Sequence, residues 1–188
     1  MNDIDVRVAV HKKLLKHPHK DPSTFVLDEM DICVGACRVD IAVLNGSMHG
    51  YELKSEKDTL ERLPNQVKYY SAVMDKVTLV VCEKHLEEAK TIIPHWWGVK
   101  VVTKGVKGAI HIAHERSEKK NKAPDSLSLA QLLWKDECLR ILEKWGKVKG
   151  NKSKPRHQLW SIVSESVPSE KLRDEVRDVL KQRTNWRN

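Results

Sequence analysis

A chain of 188 residues is long enough for one domain of ordinary size, or a core with a small appendage, and it can bury a substantial apolar core. Hydrophobic residues make up 40% and charged residues 32%, which excludes a disordered or collagen-like chain, and no apolar run approaches the roughly 18 residues of a membrane span. The net charge of +8 is unevenly placed, with 16 Lys+Arg against 16 Asp+Glu over residues 1–115 and 18 against 10 over residues 116–188.

The first ten residues, MNDIDVRVAV, lack the basic start and apolar block of a secretory signal, so a cytoplasmic protein with no membrane partner is expected. Ile4, Val8, Leu14 and Leu15 recur at approximately helical spacing over residues 3–16, and Pro18 ends that helix. FVLDEMDI (25–32), RVDIAVL (38–44) and MHGYELK (48–54) read as three antiparallel strands, the last two joined at Asn45-Gly46. Asp58 and Glu61 suit a capping box for a helix over about 59–74, with Leu60, Leu63, Val67 and Val73 as its buried stripe.

VTLVVC (77–82) suits an interior strand, HLEEAKTII (85–93) a helix stopped by Pro94, and VKVVT (99–103) and AIHIAHE (109–115) further strands. A polar linker is expected over about 116–126. Three helical segments follow it: LSLAQLLWKDECLRILEKW, RHQLWSIVSES and SEKLRDEVRDVLKQR. The expected organisation is a core over 1–115, the linker, and a basic helical region over 127–188.

Between Lys144 and Arg156 the basic residues Lys147, Lys149, Lys152 and Lys154 follow one another without an acid, interspersed with Gly146, Gly150 and Pro155. Such a loop either tracks a phosphate backbone or serves as a solvated linker. Cys33, Cys37, Cys82 and Cys138 have neither CxxC nor repeated spacing, and read as reduced thiols, with Cys33, Cys37 and His49 as a partial metal site the lesser alternative. Trp134, Trp145 and Trp160 lie in apolar helical settings and read as core residues before stacking platforms, as do Trp96-Trp97.

The chemistry concentrates in Asp40 and Glu52-Leu53-Lys54. On a strand Glu52 and Lys54 share a face, and Asp40 joins them only if the hairpin pairs it with Glu52 through an odd connection such as Asn45 to Ser47. A two-residue turn would put Asp40 across from Tyr51. An even loop in the first hairpin would pair Glu29 with Asp40 and align three carboxylates across three strands. Gathered carboxylates repel unless a cation sits among them, and hard oxygen donors favour Mg2+ or Mn2+. The alternative is an ordinary solvent-facing surface of a one-sided sheet, because short motifs of common residues recur by chance.

The segment RVDIAVLNGSMHGYELKSEKDTLERLPNQVKYYSAVMDKVTLVV (38–81) resembles the PD-(D/E)xK nuclease superfamily. More specifically it resembles a family of small bacterial and phage proteins of unknown function assigned there. HWWG (95–98), LAQLLWKDE (129–137) and KPRHQLW (154–160) extend the likeness loosely over most of the chain. The resemblance implies an α/β, restriction-endonuclease-like αβββαβ core with a mixed sheet, and hydrolysis of DNA phosphodiesters with magnesium or manganese. It places Asp40 and Glu52 as metal ligands and Lys54 as the catalytic lysine. Val39 stands where the superfamily usually has proline. Glu29 would be a further ligand, although the additional acid can lie on the first helix, where Asp3 and Asp5 compete.

Arg62, Gln66 and Tyr70 recur every fourth residue along one side of the second helix. The last two resemble the QxxxY motif of RecB-like members, which implies contacts to the metal water, a phosphate or DNA. Arg62, Lys147, Lys149, Lys152, Lys154 and Arg156 are the expected nucleic-acid contacts. Two alternatives are a non-catalytic nucleic-acid-binding module of the same fold and a domain that binds a protein partner through its helical tail. A homo-oligomer fits paired strand cleavage, whereas nicking needs none.

Overall fold

The computed structural model describes residues 1–183. Residues 184–188, the end of the expected helical region, lie outside the described residues. Helix α1 (Asp3–Lys13) precedes the meander β1 (Phe25–Ile32), β2 (Cys37–Leu44) and β3 (Met48–Lys54). Then come α2 (Leu63–Val73), β4 (Lys76–Cys82), α3 (Leu86–Ile92), β5 (Gly98–Lys104) and β6 (Ile110–Arg116). The chain closes with α4 (Ser126–Ala130), α5 (Lys135–Lys144), α6 (Arg156–Ser166) and α7 (Ser169–Gln182).

Among the described residues, six strands form one sheet in the order β1-β2-β3-β4-β5-β6. The pairs β1–β2, β2–β3 and β5–β6 are antiparallel, and β3–β4 and β4–β5 are parallel. The two parallel steps are those joined by crossover helices, β3 to β4 through α2 and β4 to β5 through α3. The protein is therefore mixed α/β with a helical C-terminal region.

Helix α1 covers one face, where Val6, Val10 and Leu15 join Ile41, Val43, Tyr51, Leu53 and Val80. Its N-terminus is closed by a reciprocal cap in which the Asn2 side chain accepts from Asp5 N–H and the Asp5 carboxylate accepts from Asn2 N–H, both at 2.9 Å. The buried stripe differs from the expected one, since Ile4 and Val8 are 68% and 43% exposed. Apolar residues lie nearly all round this helix, so spacing alone leaves its rotation open. Val6, Ala9 and Val10 are the ones turned inward.

Helices α2 and α4–α7 cover the opposite face in one continuous core that runs from Leu44, Met48 and Leu79 to Leu159, Val163 and Val176. The segment read as a polar linker is tied to this body. Asn121 donates from its backbone to Asp75 O at 2.7 Å and from its amide to Ser71 O and Met74 O. Arg173 of α7 donates to Asp75 Oδ1 at 2.8 Å and to Asn121 O at 2.9 Å, while Asp75 Oδ2 accepts from Met48 N–H. Removing one partner of a buried pair strands the other charge, so Arg173→Ala is expected to cost about 3–5 kcal/mol. Thermal unfolding followed by circular dichroism checks this, and an unchanged midpoint would mean that the pair does not hold α7 to the sheet.

Two helix boundaries differ from expectation for local reasons. Helix α2 begins at Leu63, without a side-chain cap and with Pro64 in its first turn. The expected cap, Asp58, instead accepts from Ser55 N–H at 2.7 Å and Ser55 Oγ at 2.6 Å, closing the turn after β3. The long helix expected over 127–145 breaks between α4 and α5. At the break Trp160 donates its indole N–H to Leu133 O at 2.9 Å, and Glu137 accepts from Trp134 N–H at 2.7 Å. Trp134, expected in the core, is consequently 38% exposed.

Candidate active site

Strand register decides which carboxylates meet. The β2–β3 hairpin turns through Asn45, Gly46 and Ser47, with Asn45 Oδ1 accepting from Ser47 N–H at 3.0 Å. Its ladder pairs Ile41 with Tyr51 and Ala42 with Gly50, so Asp40 and Glu52 are the next opposite positions. The odd connection puts both on the face covered by α2. In β1–β2 the ladder pairs Asp28 with Ile41 and Met30 with Val39, and skips Glu29, whose φ of 57° breaks the strand opposite Asp40.

The side chains converge on a cleft of about 670 Å³ lined in part by Asp40, Glu52, Lys54, Arg62 and Gln66. Asp40 Oδ2 accepts from Leu53 N–H at 2.8 Å. Glu52 is 1% exposed, and neither of its carboxylate oxygens receives an aligned hydrogen bond. Lys54 Nζ lies 2.8 Å from Glu52 Oε1 as an ion pair, and donates to Gln66 Oε1 at 2.9 Å. The contact is close enough for strong attraction although its angle is not that of a hydrogen bond.

Tyr70 is fully buried, and its hydroxyl accepts from Asp40 N–H at 3.0 Å. Its ring lies against Gly50, where a Cβ would stand 3.1 Å from Cδ1, so the absence of a side chain there lets α2 approach β3. The Gln66–Tyr70 spacing thus places one residue on Lys54 and the other on Asp40. Arg62 lines the cleft mouth from the N-cap of α2.

These acids are held out of water at a cost. Burial, with the nearby Glu52 charge, pushes Asp40 up to about 8 despite the Leu53 amide and Arg7. Burial also raises Glu52, which Lys54 opposes. Tyr70 lies well above its ordinary value through burial and the two carboxylates. Cys37, at the cleft wall, is pushed up to about 12, chiefly by burial, which leaves a neutral thiol.

Arg7, not singled out in the sequence, is the cationic hub of the site. It donates to Asp40 O and to Glu29 Oε1, both at 2.6 Å, and lies 3.6 Å from Asp40 Oδ1 and 3.5 Å from Asp3 Oδ2. The Asp3/Arg7 spacing on α1 was the available signal, but contact with β2 across 33 residues is not legible from it. Glu29 is therefore engaged by Arg7 rather than closed onto Glu52. Among the described residues, no three His, Cys, Asp or Glu side chains gather as a metal-holding group. His49 is bound to Thr78 Oγ1 at 2.9 Å and stacks on Tyr51, apart from any cysteine set.

Asp40 and Glu52 nevertheless fit a hard divalent cation. They are two carboxylates on neighbouring strands, and the oxygens of Glu52 are buried with no aligned hydrogen bond, although the Lys54 ammonium is 2.8 Å from one of them. Magnesium is commonly held by one or two carboxylates together with water and substrate phosphate. Of the expected nucleic-acid contacts in the C-terminal region, Lys147, Lys149 and Lys152 are exposed and Lys154 is half-buried in the loop that joins α5 to α6, and Arg156, exposed, is the first residue of α6. Of these, Arg156 lines a groove along β1.

No described helix is long and apolar enough to cross a membrane. Comparison with known proteins finds protein cII of Enterobacteria phage P4, 32% identical over 88 residues, which is 47% of this chain and 33% of that protein. The chain thus spans about a third of the length of this curated relative. A solved structure, the SPO1766 protein of unknown function from Silicibacter pomeroyi, is 16% identical with a TM-score of 0.44, covering 80% of this chain and 94% of that one. The family described as Bacteriophage P4 protein cII matches residues 1–188, the whole chain, which therefore belongs to that family.

Proposed function

We propose that the protein is a divalent-metal-dependent nuclease that hydrolyses DNA phosphodiesters in phage or mobile-element DNA processing, on a restriction-endonuclease-like core of the PD-(D/E)xK kind. The carrying observation is the pairing, in register across β2 and β3, of half-buried Asp40 with buried Glu52, with Lys54 Nζ 2.8 Å from Glu52. Carboxylates kept from water at this cost suit a cation-binding role better than a solvated sheet surface.

Asp40 and Glu52 would hold magnesium or manganese, which supplies Lewis-acid stabilisation of the phosphoryl group and a more acidic water. Gln66 fixes the Lys54 ammonium, so that its charge is already oriented where negative charge develops. Arg7 and the Tyr70 hydroxyl hold the β2 backbone on either side of the Asp40 carboxylate. Arg62, at the cleft mouth, is placed to meet a substrate phosphate.

Titrating magnesium or manganese over labelled single-stranded, duplex and branched DNA tests the reading. Cleavage is expected on at least one substrate. DNA binding without cleavage at any metal concentration would favour the non-catalytic module, which the engagement of Glu29 by Arg7 also suits. Replacing Lys147, Lys149, Lys152 and Lys154 with Gln is expected to raise Kd and to flatten the slope of log K against log salt by about 0.9 per lost duplex phosphate contact. The single-turnover rate at saturating DNA should hardly change. An unaltered slope would make the loop a solvated linker.

A further inference from the structure

A second groove, of about 890 Å³, runs along the edge strand β1 and is not used by the chemistry proposed above. One wall is β1 with the turn at Cys33–Gly35, and the other carries Trp134, Arg156, Trp160 and Arg183. Glu29, Asp31, Gly35 and Arg38 line both this groove and the Asp40–Glu52 cleft, so the two are continuous.

The walls differ in a way that selects an occupant. On the helical wall Trp134 is 38% exposed, with the Arg183 guanidinium 4.3 Å from its ring centroid and itself held by Glu137. Arg156, where the basic run from Lys144 ends, sits 4.9 Å over Trp160. An exposed aromatic ring beside two guanidinium groups suits a flat, partly anionic ligand. The β1 wall bears Asp28, Glu29 and Asp31, with Arg38 engaged by Asp31 at 2.8 Å. One strand can turn its phosphates towards the helical wall, whereas a duplex would press its second backbone against these acids.

The lip between groove and cleft is strained. Cys33 and Val34 have φ of 51° and 59°, and a β-branched residue seldom adopts that region. Val34 is 61% exposed, so the turn presents an apolar side chain at the junction instead of burying it.

We propose that this groove binds the single-stranded continuation of a nucleic acid whose scissile phosphate lies in the Asp40–Glu52 cleft. A base stacks on Trp134, Arg156 meets a phosphate, and Val34 stands at the junction between the two. The proposal rests on the nuclease reading for what occupies the neighbouring cleft, but its deciding measurement is binding, with cleavage used only to tell the two readings apart.

The test is fluorescence anisotropy with labelled oligothymidylate of about twelve nucleotides, and with a blunt duplex of equal length, in buffer containing a chelator. Trp134→Ala is expected to raise the single-strand Kd about 5- to 150-fold while leaving the duplex Kd within about twofold, and Trp134→Tyr to keep most of the affinity. Arg156→Gln should lower the single-strand salt slope by about 0.7. An unchanged single-strand Kd in Trp134→Ala would overturn the proposal. So would equal losses for both DNAs without rescue by tyrosine, or no binding of oligothymidylate by the wild type. Wild-type protein that cuts nothing yet shows these shifts would overturn the nuclease reading alone. Cleavage abolished by Asp40→Asn with no Trp134 effect would overturn the groove alone.

Discussion

Asp40→Asn and Glu52→Gln are each expected to lower the cleavage rate by at least about 1,000-fold and to weaken divalent binding, because each replaces an anionic oxygen donor by a neutral amide at a site with two. Neither should unfold the protein. Asn at position 40 retains an oxygen that can accept the Leu53 N–H, and Gln at position 52 keeps a carbonyl oxygen beside the Lys54 ammonium, which also retains its bond to Gln66. Isothermal titration with magnesium or manganese, beside single-turnover cleavage, measures both effects. Wild-type metal affinity in both variants would remove the two carboxylates from the metal-binding role.

The same pair makes pH a diagnostic. Asp40 is raised from 3.8 to about 8, so the folded protein holds that proton more tightly than the unfolded chain does. The resulting stabilisation is full below about pH 3.8 and is lost as pH rises to about 8. Asp40→Asn removes this loss, so its unfolding midpoint should exceed that of the wild type most at pH 8 and above, and the difference should shrink in acid. Metal binding needs the carboxylate, so affinity should climb by up to about tenfold per pH unit towards pH 8 and then level, with proton release on binding. A pH-independent affinity between pH 6 and 8 would mean that Asp40 does not gate the site.

The strands were legible because their periodicity is local and their breaks carry turn residues. The parity argument for Asp40 and Glu52 needed only the number of residues between β2 and β3, and the structure has the odd connection it required. Features set by distant partners were not legible. The rotation of α1 depends on which of several apolar positions the sheet receives, and the start of α2 on Asp58 binding Ser55 instead of the helix. The break that exposes Trp134 includes an indole–carbonyl bond spanning 27 residues. Glu29 has the register expected of it, yet its positive φ and Arg7 determine what it touches.

Lys54→Ala is expected to lower cleavage about 100- to 1,000-fold while DNA and metal binding persist, since the ammonium acts on charge that develops only in the transition state. In the metal-free protein the same change leaves Glu52 buried, without its ion pair, and should lower the unfolding midpoint. If Lys54 and Glu52 act on stability as a pair, adding Glu52→Gln to the Lys54→Ala variant should restore much of that loss, with a coupling of about 1–3 kcal/mol, although activity stays lost. Recovery of stability without recovery of cleavage separates the two contributions of Lys54. Strictly additive midpoints would show that the 2.8 Å contact does not stabilise the fold, and undiminished cleavage in Lys54→Ala would remove Lys54 from the chemistry.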